Sequence, residues 1–377
     1  MYCIYSKIII QLVINKIRKS SKRKYNIYIL ANNVAGFGSM NVVSNLLQEF
    51  AINHSISDLS VFIKLPKIPF WENYIEKLNK NWTIRLEFRS KYKIFRFLSR
   101  SIDLIFGHLF LPEFDILIVL GDFPLRVNSK QILLLHNPHI VDKSNKLDFY
   151  FHKFFFNLNH RYVNKCFVQT DILKYKLINA FPFFYDKTFS LKMPVKNIFN
   201  NKNIIINKSN KIILFYPASF YTHKNHIIIF KFLDKYNQKF INIIFNLTIN
   251  KKNLYLNKYE KNINFLGEIN EEQVITNFNK SDALFFPSVN ETYGLPLVEA
   301  MKMGKIILCS DLPYAKEICG DQAIYFNPLD VESINNAIEI LQIKKSINWL
   351  PDWSFALSKI PQDWKIYSES FLEIAFN

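Results

Sequence analysis

The sequence predicts an α/β protein of two domains with a cleft between them, and three observations support this. The chain has 377 residues, which is long for one domain, since hydrophobic cores divide above roughly 250 residues. Short apolar runs alternate with longer amphipathic stretches, as in βαβ units with a largely parallel sheet. A polar, asparagine-rich segment at 196–210 separates two such halves and is typical of a surface linker.

Each half has enough candidate strands for a sheet of its own. In the first half they lie at 26–31, 60–64, 114–120, 131–135 and 165–169, and in the second at 211–216, 241–247, 264–266, 283–286, 305–309 and 323–326. The predicted segments are a basic and apolar N-terminal stretch at 1–24, domains at 25–195 and 211–352 on either side of the linker, and closing helices at 353–377.

The net charge of +17 leaves three kinds of partner open: nucleic acid, an anionic membrane surface and an acidic ligand. Heavy use of lysine, asparagine, isoleucine and phenylalanine together is also expected of an AT-rich coding sequence. Basic residues stand beside apolar ones at 16–24 and 91–106, which suits a bilayer surface better than a duplex groove. We therefore expect possible contact with an anionic membrane surface and no nucleic acid.

Neither a membrane span nor a secretion signal is indicated at the start of the chain. The apolar stretch Ile4–Ile17 is interrupted by polar residues and is shorter than the roughly 20 residues of a spanning helix. Its main basic run follows the stretch, whereas a signal peptide has its basic residues first. The four cysteines lack metal-ligand spacing. These features predict a cytoplasmic protein with reduced thiols, either free or peripheral on the inner face of the membrane.

The most informative stretch is 281–311. A buried strand ends at Pro287, a loop continues to Gly294, and a helix opens near Pro296 and ends around Gly304. The helix thus presents free N–H groups at the carboxyl edge of the sheet, where α/β proteins bind ligands. Because Gly294 allows close approach, a diphosphate is expected against residues 292–295.

Two glutamates flank this loop. Glu299 lies within an apolar stretch of the helix, where a carboxylate needs partners such as the two hydroxyls of a ribose. Glu291 comes just before the turn. Plainer interpretations are an acid that favours a helix N-terminus for Glu291 and a pairing with a distant lysine for Glu299. Their spacing, with Gly294 and Pro296 between them, favours a binding site.

Residues 290–301, 310–313, Glu317 and 328–330 together resemble the donor-site signature of family 4 retaining glycosyltransferases. The match is specific over about residues 211–335. It implies the GT-B fold, in which two Rossmann-like domains face each other across a cleft. It also implies that Glu299 binds the nucleotide ribose and that Glu291 lies against the transferred sugar. Backbone amides hold sugar hydroxyls and phosphate, here those of Thr292, Tyr293, Gly294 and Leu295.

A second match to the same family is 215–226, after the first strand of the second half. Many members have an arginine and a lysine five residues apart there, both reaching the diphosphate. This chain has Lys224 and, in place of the arginine, Ser219, which can donate one hydrogen bond. A solvated lysine loop is the alternative.

In the first half, Gly36 and Gly38 follow the first strand, where the family has a glycine-rich loop near the donor phosphates and acceptor. An ordinary tight turn is the alternative, and Asn41 rules out a dinucleotide fingerprint. His136 ends another strand, where the family often directs a histidine at the donor sugar; His139 is a second contender. A packed or capping histidine is the alternative.

The resemblance implies a retaining transferase that moves a sugar from a nucleotide-diphosphate-sugar donor to a glycan or lipid-linked acceptor in cell-surface polysaccharide synthesis. Glu291, His136 and Lys224 are the catalytic candidates. No DxD motif is present, so neither metal nor cofactor is expected. The rivals are a non-catalytic GT-B protein, favoured by the missing arginine, a sugar-nucleotide epimerase or phosphorylase, and a nucleic-acid-binding protein, favoured by charge alone.

Overall fold

The computed structural model describes residues 26–78, 81–88, 101–102, 104–106, 111, 113–121, 123–136, 140–141, 146–200, 211–236, 242–250 and 259–377. The chain divides into two compact units. The first runs to Met193 and also contains Gln362–Asn377, and the second is Pro194–Pro361. The basic segments 16–24 and 91–100 lie outside the described residues, as does Cys3.

The first unit is built on a parallel sheet with the strand order β3-β2-β1-β4-β5-β6-β7. Its strands are β1 (Asn26–Leu30), β2 (Ser60–Pro66), β3 (Thr83–Glu87), β4 (Ile116–Leu120), β5 (Lys130–Leu134), β6 (Val163–Val168) and β7 (Thr188–Ser190). All five residues of β4 are buried. A continuous apolar run of this kind is expected of a parallel strand that is covered on both faces.

The helices of this unit include the last helix of the chain. Those whose bounds the structure describes are α1 (Phe37–Ile52), α2 (His54–Ser57), α3 (Pro69–Tyr74), α4 (Lys146–Asn159), α5 (Asp171–Ala180) and α12 (Trp364–Phe376). On α12, the ring of Phe371 packs against Phe50 of α1 and Phe167 of β6, with centroids 5.9 and 4.4 Å away. The second of the predicted closing helices is therefore part of the first unit.

The second unit has a parallel sheet with the order β10-β9-β8-β11-β12-β13. Its strands are β8 (Ile212–Tyr216), β9 (Ile243–Leu247), β10 (Ile263–Phe265), β11 (Ala283–Phe286), β12 (Ile306–Ser310) and β13 (Ile324–Phe326). The chain winds outward from β8 on one side and resumes at β11 on the other. The loops that follow β8 and β11 consequently flank a topological switch point, the usual ligand-binding position in such sheets.

The helices of the second unit are α6 (Ile227–Tyr236), α7 (Glu271–Lys280), α8 (Leu295–Lys302), α9 (Pro313–Cys319), α10 (Val331–Ser346) and α11 (Ser354–Ser358). A short 3-10 helix at Asn197–Asn200 lies against α8, and its Phe199 is buried. The beginning of the predicted linker thus packs on this unit, because the Phe199 side chain is buried against it. Residues 201–210 lie outside the described residues.

Candidate functional site

The loop between β11 and α8 forms one wall of the candidate site. Strand β11 ends at Phe286, and α8 begins at Leu295 with Pro296 in its first turn. Gly294 precedes the helix with φ of 91° and ψ of 63°, a left-handed conformation. A Cβ atom added there would also lie 3.0 Å from Leu297 Cδ1. The positive φ therefore favours glycine where the loop turns into the helix, and a larger residue would also have to displace the Leu297 side chain.

Of the loop amides predicted to bind the donor, those of Thr292 and Leu295 belong to half-buried residues. Tyr293 is only 3% exposed, so its ring is part of the packed interior. A ligand could contact this residue only through its backbone, and the donor-binding role of that amide stays a prediction.

The loop after β8 forms the opposite wall and carries Lys224. Its amine donates a hydrogen bond to Glu291 Oε1, and the two side chains are 18% and 12% exposed. The hydroxyl of Ser288 lies 2.7 Å from the same carboxylate oxygen. The structure thus brings Lys224 and Glu291, which are 67 residues apart, into direct contact across the switch point. A half-buried ion pair of this kind leaves a cation close to any anion at the start of α8.

Two buried tyrosines hold these walls in place. Tyr216, the last residue of β8, donates from its hydroxyl to the carbonyl of Lys224 at 2.7 Å. Tyr314 on α9 donates to the carbonyl of Ser288, also at 2.7 Å. Burial raises the pKa of both phenols well above the ordinary value, and the charge of Glu291 raises them further. Both hydroxyls therefore stay protonated and act as donors. Neither contact was predicted from the sequence.

Asn225 joins the loop after β8 to two others. It has φ of 55°, a left-handed conformation that asparagine tolerates better than most residues. Its side-chain amide donates to the carbonyl of Pro328, after β13, at 2.8 Å and to that of Pro287 at 3.3 Å. Lys224 therefore directly precedes the residue whose side chain holds the loop in place.

Ser219 and His226 lie in the same loop region. Ser219 is half-buried, and its carbonyl accepts from the amide of Tyr221 at 2.9 Å, which closes a tight turn. His226 is buried against the ring of Tyr216, with centroids 4.7 Å apart. Burial is the main cause that lowers the pKa of His226 to about 4, so its imidazole is neutral at physiological pH. Lys224 therefore supplies the charge of this loop.

Glu299 is on α8, five residues into the helix, and is 9% exposed among buried apolar neighbours. Burial raises the pKa of its carboxyl to about 8; the charge of Glu271 adds to the rise and that of Lys196 opposes it. In the free protein the carboxyl is consequently mostly protonated at neutral pH, whereas an ionised acceptor was expected from the sequence. An ionised form would need a partner or ligand to offset desolvation.

The candidates in the first unit lie at the carboxyl ends of its strands. Gly36 caps α1 with an ordinary φ of −87°, and Gly38 is in the first turn of that helix. A Cβ atom on Gly38 would meet nothing within 4 Å, so neither glycine is required by the backbone. His136 is half-buried two residues after β5, and His139 lies outside the described residues.

No cluster of three or more metal-ligating side chains occurs within the ranges that the structure describes. Cys166, Cys309 and Cys319 are buried free thiols there. That the chain acts without a metal or cofactor remains a prediction.

A family model matches most of the second unit. Residues 197–346 match the family model of glycosyl transferases group 1, which is less than half of the chain. The matched residues include both walls of the candidate site, with Lys224, Glu291 and Glu299.

Curated relatives match over part of their length. The O-antigen chain mannosyltransferase RfbU of Salmonella typhimurium strain LT2 is 34% identical over 90 residues, which is 24% of this chain and 24% of RfbU. The serotype-specific mannosyltransferase WbdA of Escherichia coli is 35% identical over 75 residues, 20% of this chain and 9% of WbdA. The chain thus matches at most about a quarter of the length of these relatives.

Solved structures match over nearly the whole chain. A glycosyltransferase from Rickettsia africae ESF-5 has a TM-score of 0.63 at 14% identity, covering 94% of this chain and 98% of that one. The lipopolysaccharide outer core galactosyltransferase WaaB gives 0.62 at 13% identity, with 93% and 99% covered. Anabaena HepE in complex with UDP-glucose gives 0.62 at 11%, with 93% and 95% covered. These likenesses confirm the predicted two-domain α/β fold of the GT-B class.

Proposed function

We propose that the chain is a retaining glycosyltransferase that moves a sugar from a nucleotide-diphosphate sugar to a glycan or lipid-linked acceptor in cell-surface polysaccharide synthesis. The observation that carries the proposal is the half-buried pair of Lys224 and Glu291 at the switch point of the unit that the group 1 model matches. The curated relatives are O-antigen and serotype-specific mannosyltransferases, which supports mannose as the first donor sugar to test.

The proposed reaction depends on stabilising the departing diphosphate. As the bond between sugar and phosphate ionises, negative charge builds on the phosphate oxygens beside the start of α8. The N–H groups there and the amine of Lys224 would offset this charge, and such preorganised donors supply much of the rate enhancement in enzymes. Lys224 would then exchange or share its contact with Glu291, since both anions compete for one amine.

Two further roles complete the proposal. The carboxyl of Glu299 would accept the two ribose hydroxyls, and Glu291 would lie against the transferred sugar. Retention of configuration would follow if the acceptor attacks on the face that the diphosphate leaves, with a phosphate oxygen taking the proton. His136, with the backbone near Gly36 and Gly38, would contribute from the first unit.

The test is a panel of nucleotide sugars that includes GDP-mannose, UDP-glucose and UDP-galactose. We expect slow release of nucleoside diphosphate from one of them in the absence of acceptor, and the released sugar should retain its anomeric configuration in NMR spectra. Inversion of the anomeric centre would contradict the retaining mechanism. Binding without any release would favour a non-catalytic protein, and isomerisation of the donor sugar would favour an epimerase.

A membrane surface is proposed as the place where the acceptor is met. Tyr150, Phe154 and Leu158 form an apolar stripe at helical spacing on α4, and they are 64%, 58% and 41% exposed. Exposed Lys153 and Arg161 lie next to this stripe in the sequence. Within the described ranges, no helix is long and apolar enough to cross a bilayer. Apolar and basic groups together suit the surface of an anionic bilayer.

Flotation with vesicles tests this attachment. We expect the protein to float with vesicles that contain anionic lipid and to remain at the bottom with purely zwitterionic ones, because basic groups supply part of the affinity. A Phe154→Ser variant should float less. Equal flotation of the wild type and Phe154→Ser would show that the stripe on α4 does not contribute to membrane attachment.

A further inference from the structure

The second unit begins at Pro194, and its first residues include a lysine close to α8, the helix that carries Glu299. Lys196 comes two residues after Pro194, and its amine pairs with Glu271 Oε1 at 2.5 Å. Phe199, three residues later, is buried in the turn that packs against α8. Lys196 is therefore held beside the helix that carries Glu299, by an ion pair on one side and a buried ring on the other.

Glu271 is fixed in its turn by the start of α7. The side chain of Asn270 accepts from the amide of Gln273, and the side chain of Gln273 accepts from the amide of Asn270, each at 2.9 Å. This capping box sets the first turn of the helix, where Glu271 stands. The Glu271 carboxylate is consequently held at the start of α7, where it pairs with Lys196.

The charges that act on Glu299 come from these two residues, and they have opposite sign. Negative Glu271 disfavours the ionised carboxyl, and positive Lys196 favours it. Elements packed against α8 carry other titratable groups, namely Cys309 on β12 and Tyr314, Lys316, Glu317 and Cys319 on α9.

We propose that Lys196 and Glu271 are positioning residues of the nucleotide site, which set the charge of the Glu299 carboxyl and so the strength with which it holds the ribose diol. This rests on the proposed function. A carboxylate can accept from both ribose hydroxyls, whereas a carboxylic acid must use one oxygen as a donor. Nucleotide-sugar affinity in the wild type should therefore rise as pH increases through about 8, where Glu299 ionises.

Two substitutions should move this transition in opposite directions. Lys196→Met removes the favourable charge and should raise the midpoint by about half a unit to one unit, with up to a roughly tenfold loss of affinity at pH 7. Glu271→Gln removes the opposing charge and frees Lys196, so it should lower the midpoint and increase affinity about fivefold at pH 7. Glu272→Gln removes an equal charge from the next, exposed position of α7 and should change neither quantity.

Two measurements separate this proposal from the proposed function. The titration of Glu299 is followed directly by carbon NMR of protein labelled at glutamate carboxyls, with its signal assigned by loss in Glu299→Gln. Binding of GDP-mannose and UDP-glucose is measured by calorimetry between pH 6 and 9. Opposite shifts in both measurements, with Glu272→Gln unchanged, support the proposal.

An NMR midpoint that stays fixed in both variants, or moves the same way in both, overturns the proposal whether or not a nucleotide sugar binds. If the NMR midpoints move as expected and binding occurs without following them, the link to the ribose site is overturned and nucleotide binding stands. If the NMR midpoints move and neither ligand binds at any pH, the link is overturned together with the proposed donor site. Lys196→Met and Glu271→Gln should have melting temperatures similar to that of the wild type, because both side chains are partly exposed.

Discussion

Replacing Lys224 with methionine should lower kcat by about 10²- to 10³-fold, the usual effect of removing one donor that stabilises developing negative charge. The amine of Lys224 is the cation that reaches the switch point from the loop after β8. Ser219, five residues earlier in the same loop, carries no charge that could replace it. Steady-state release of nucleoside diphosphate from the accepted donor is the measurement. A kcat within threefold of the wild type would contradict the leaving-group role.

The controls for Lys224→Met must separate chemistry from folding. The substitution leaves the half-buried Glu291 without its cation, which itself destabilises the protein. A double variant, Lys224→Met with Glu291→Gln, has no unpaired charge and should regain stability in urea denaturation without regaining kcat. Lys231→Met, at an exposed position of α6, should behave as the wild type. Recovery of kcat in the double variant would show that the single variant had merely been misfolded.

Replacing Glu299 with alanine should weaken binding of the nucleotide sugar by about 10- to 100-fold, since hydrogen bonds to a charged group contribute roughly 1.5–3 kcal/mol. The ribose is remote from the bond that breaks, so KM should rise while kcat changes little. The effect should be larger at pH 8.5 than at pH 6.5, because the carboxyl has a pKa of about 8. Calorimetry and kinetics at the two pH values test this, with exposed Glu268→Ala as the control.

The stability of a second variant, Glu299→Gln, provides an independent check. In the wild type the pKa of this carboxyl is raised from 4.5 to about 8 by folding. The folded state therefore holds a proton that the unfolded chain loses, and this contribution to stability is full below pH 4.5 and is lost as pH rises to about 8. The variant should show a flatter dependence of the unfolding free energy over that window. An unchanged slope would mean that the carboxyl is not desolvated.

The strands of the central sheets could be predicted because their apolar runs are continuous. The run at 283–286 coincides with β11, and that at 211–216 differs from β8 by one residue. Thr83–Glu87 and Thr188–Ser190 were not predicted as strands. Both lie at the outer edges of the first sheet, where Thr83–Glu87 is partly exposed and Thr188–Ser190 has three residues. Neither presents the long apolar run that marks a central strand.

Within the candidate site, local features were predictable and long-range contacts were not. The turn at Gly294 and the helix that follows are visible in the sequence because glycine and proline have local conformational effects. The contact of Lys224 with Glu291 joins loops 67 residues apart and depends on the order of the strands. The influence of Lys196 on Glu299 was not predictable for another reason. The polar, asparagine-rich composition of the segment predicts solvent exposure, whereas its Phe199 is buried.

The place of α12 in the first unit has a consequence for biosynthesis. Residues 362–377 supply Phe371, which packs against Phe50 and Phe167, two core residues that are translated long before it. The ribosome therefore finishes every residue of the second unit before the first unit has its last helix. The part of the protein that is made first is the part that matures last, and until then Phe50 and Phe167 remain without the Phe371 ring that covers them.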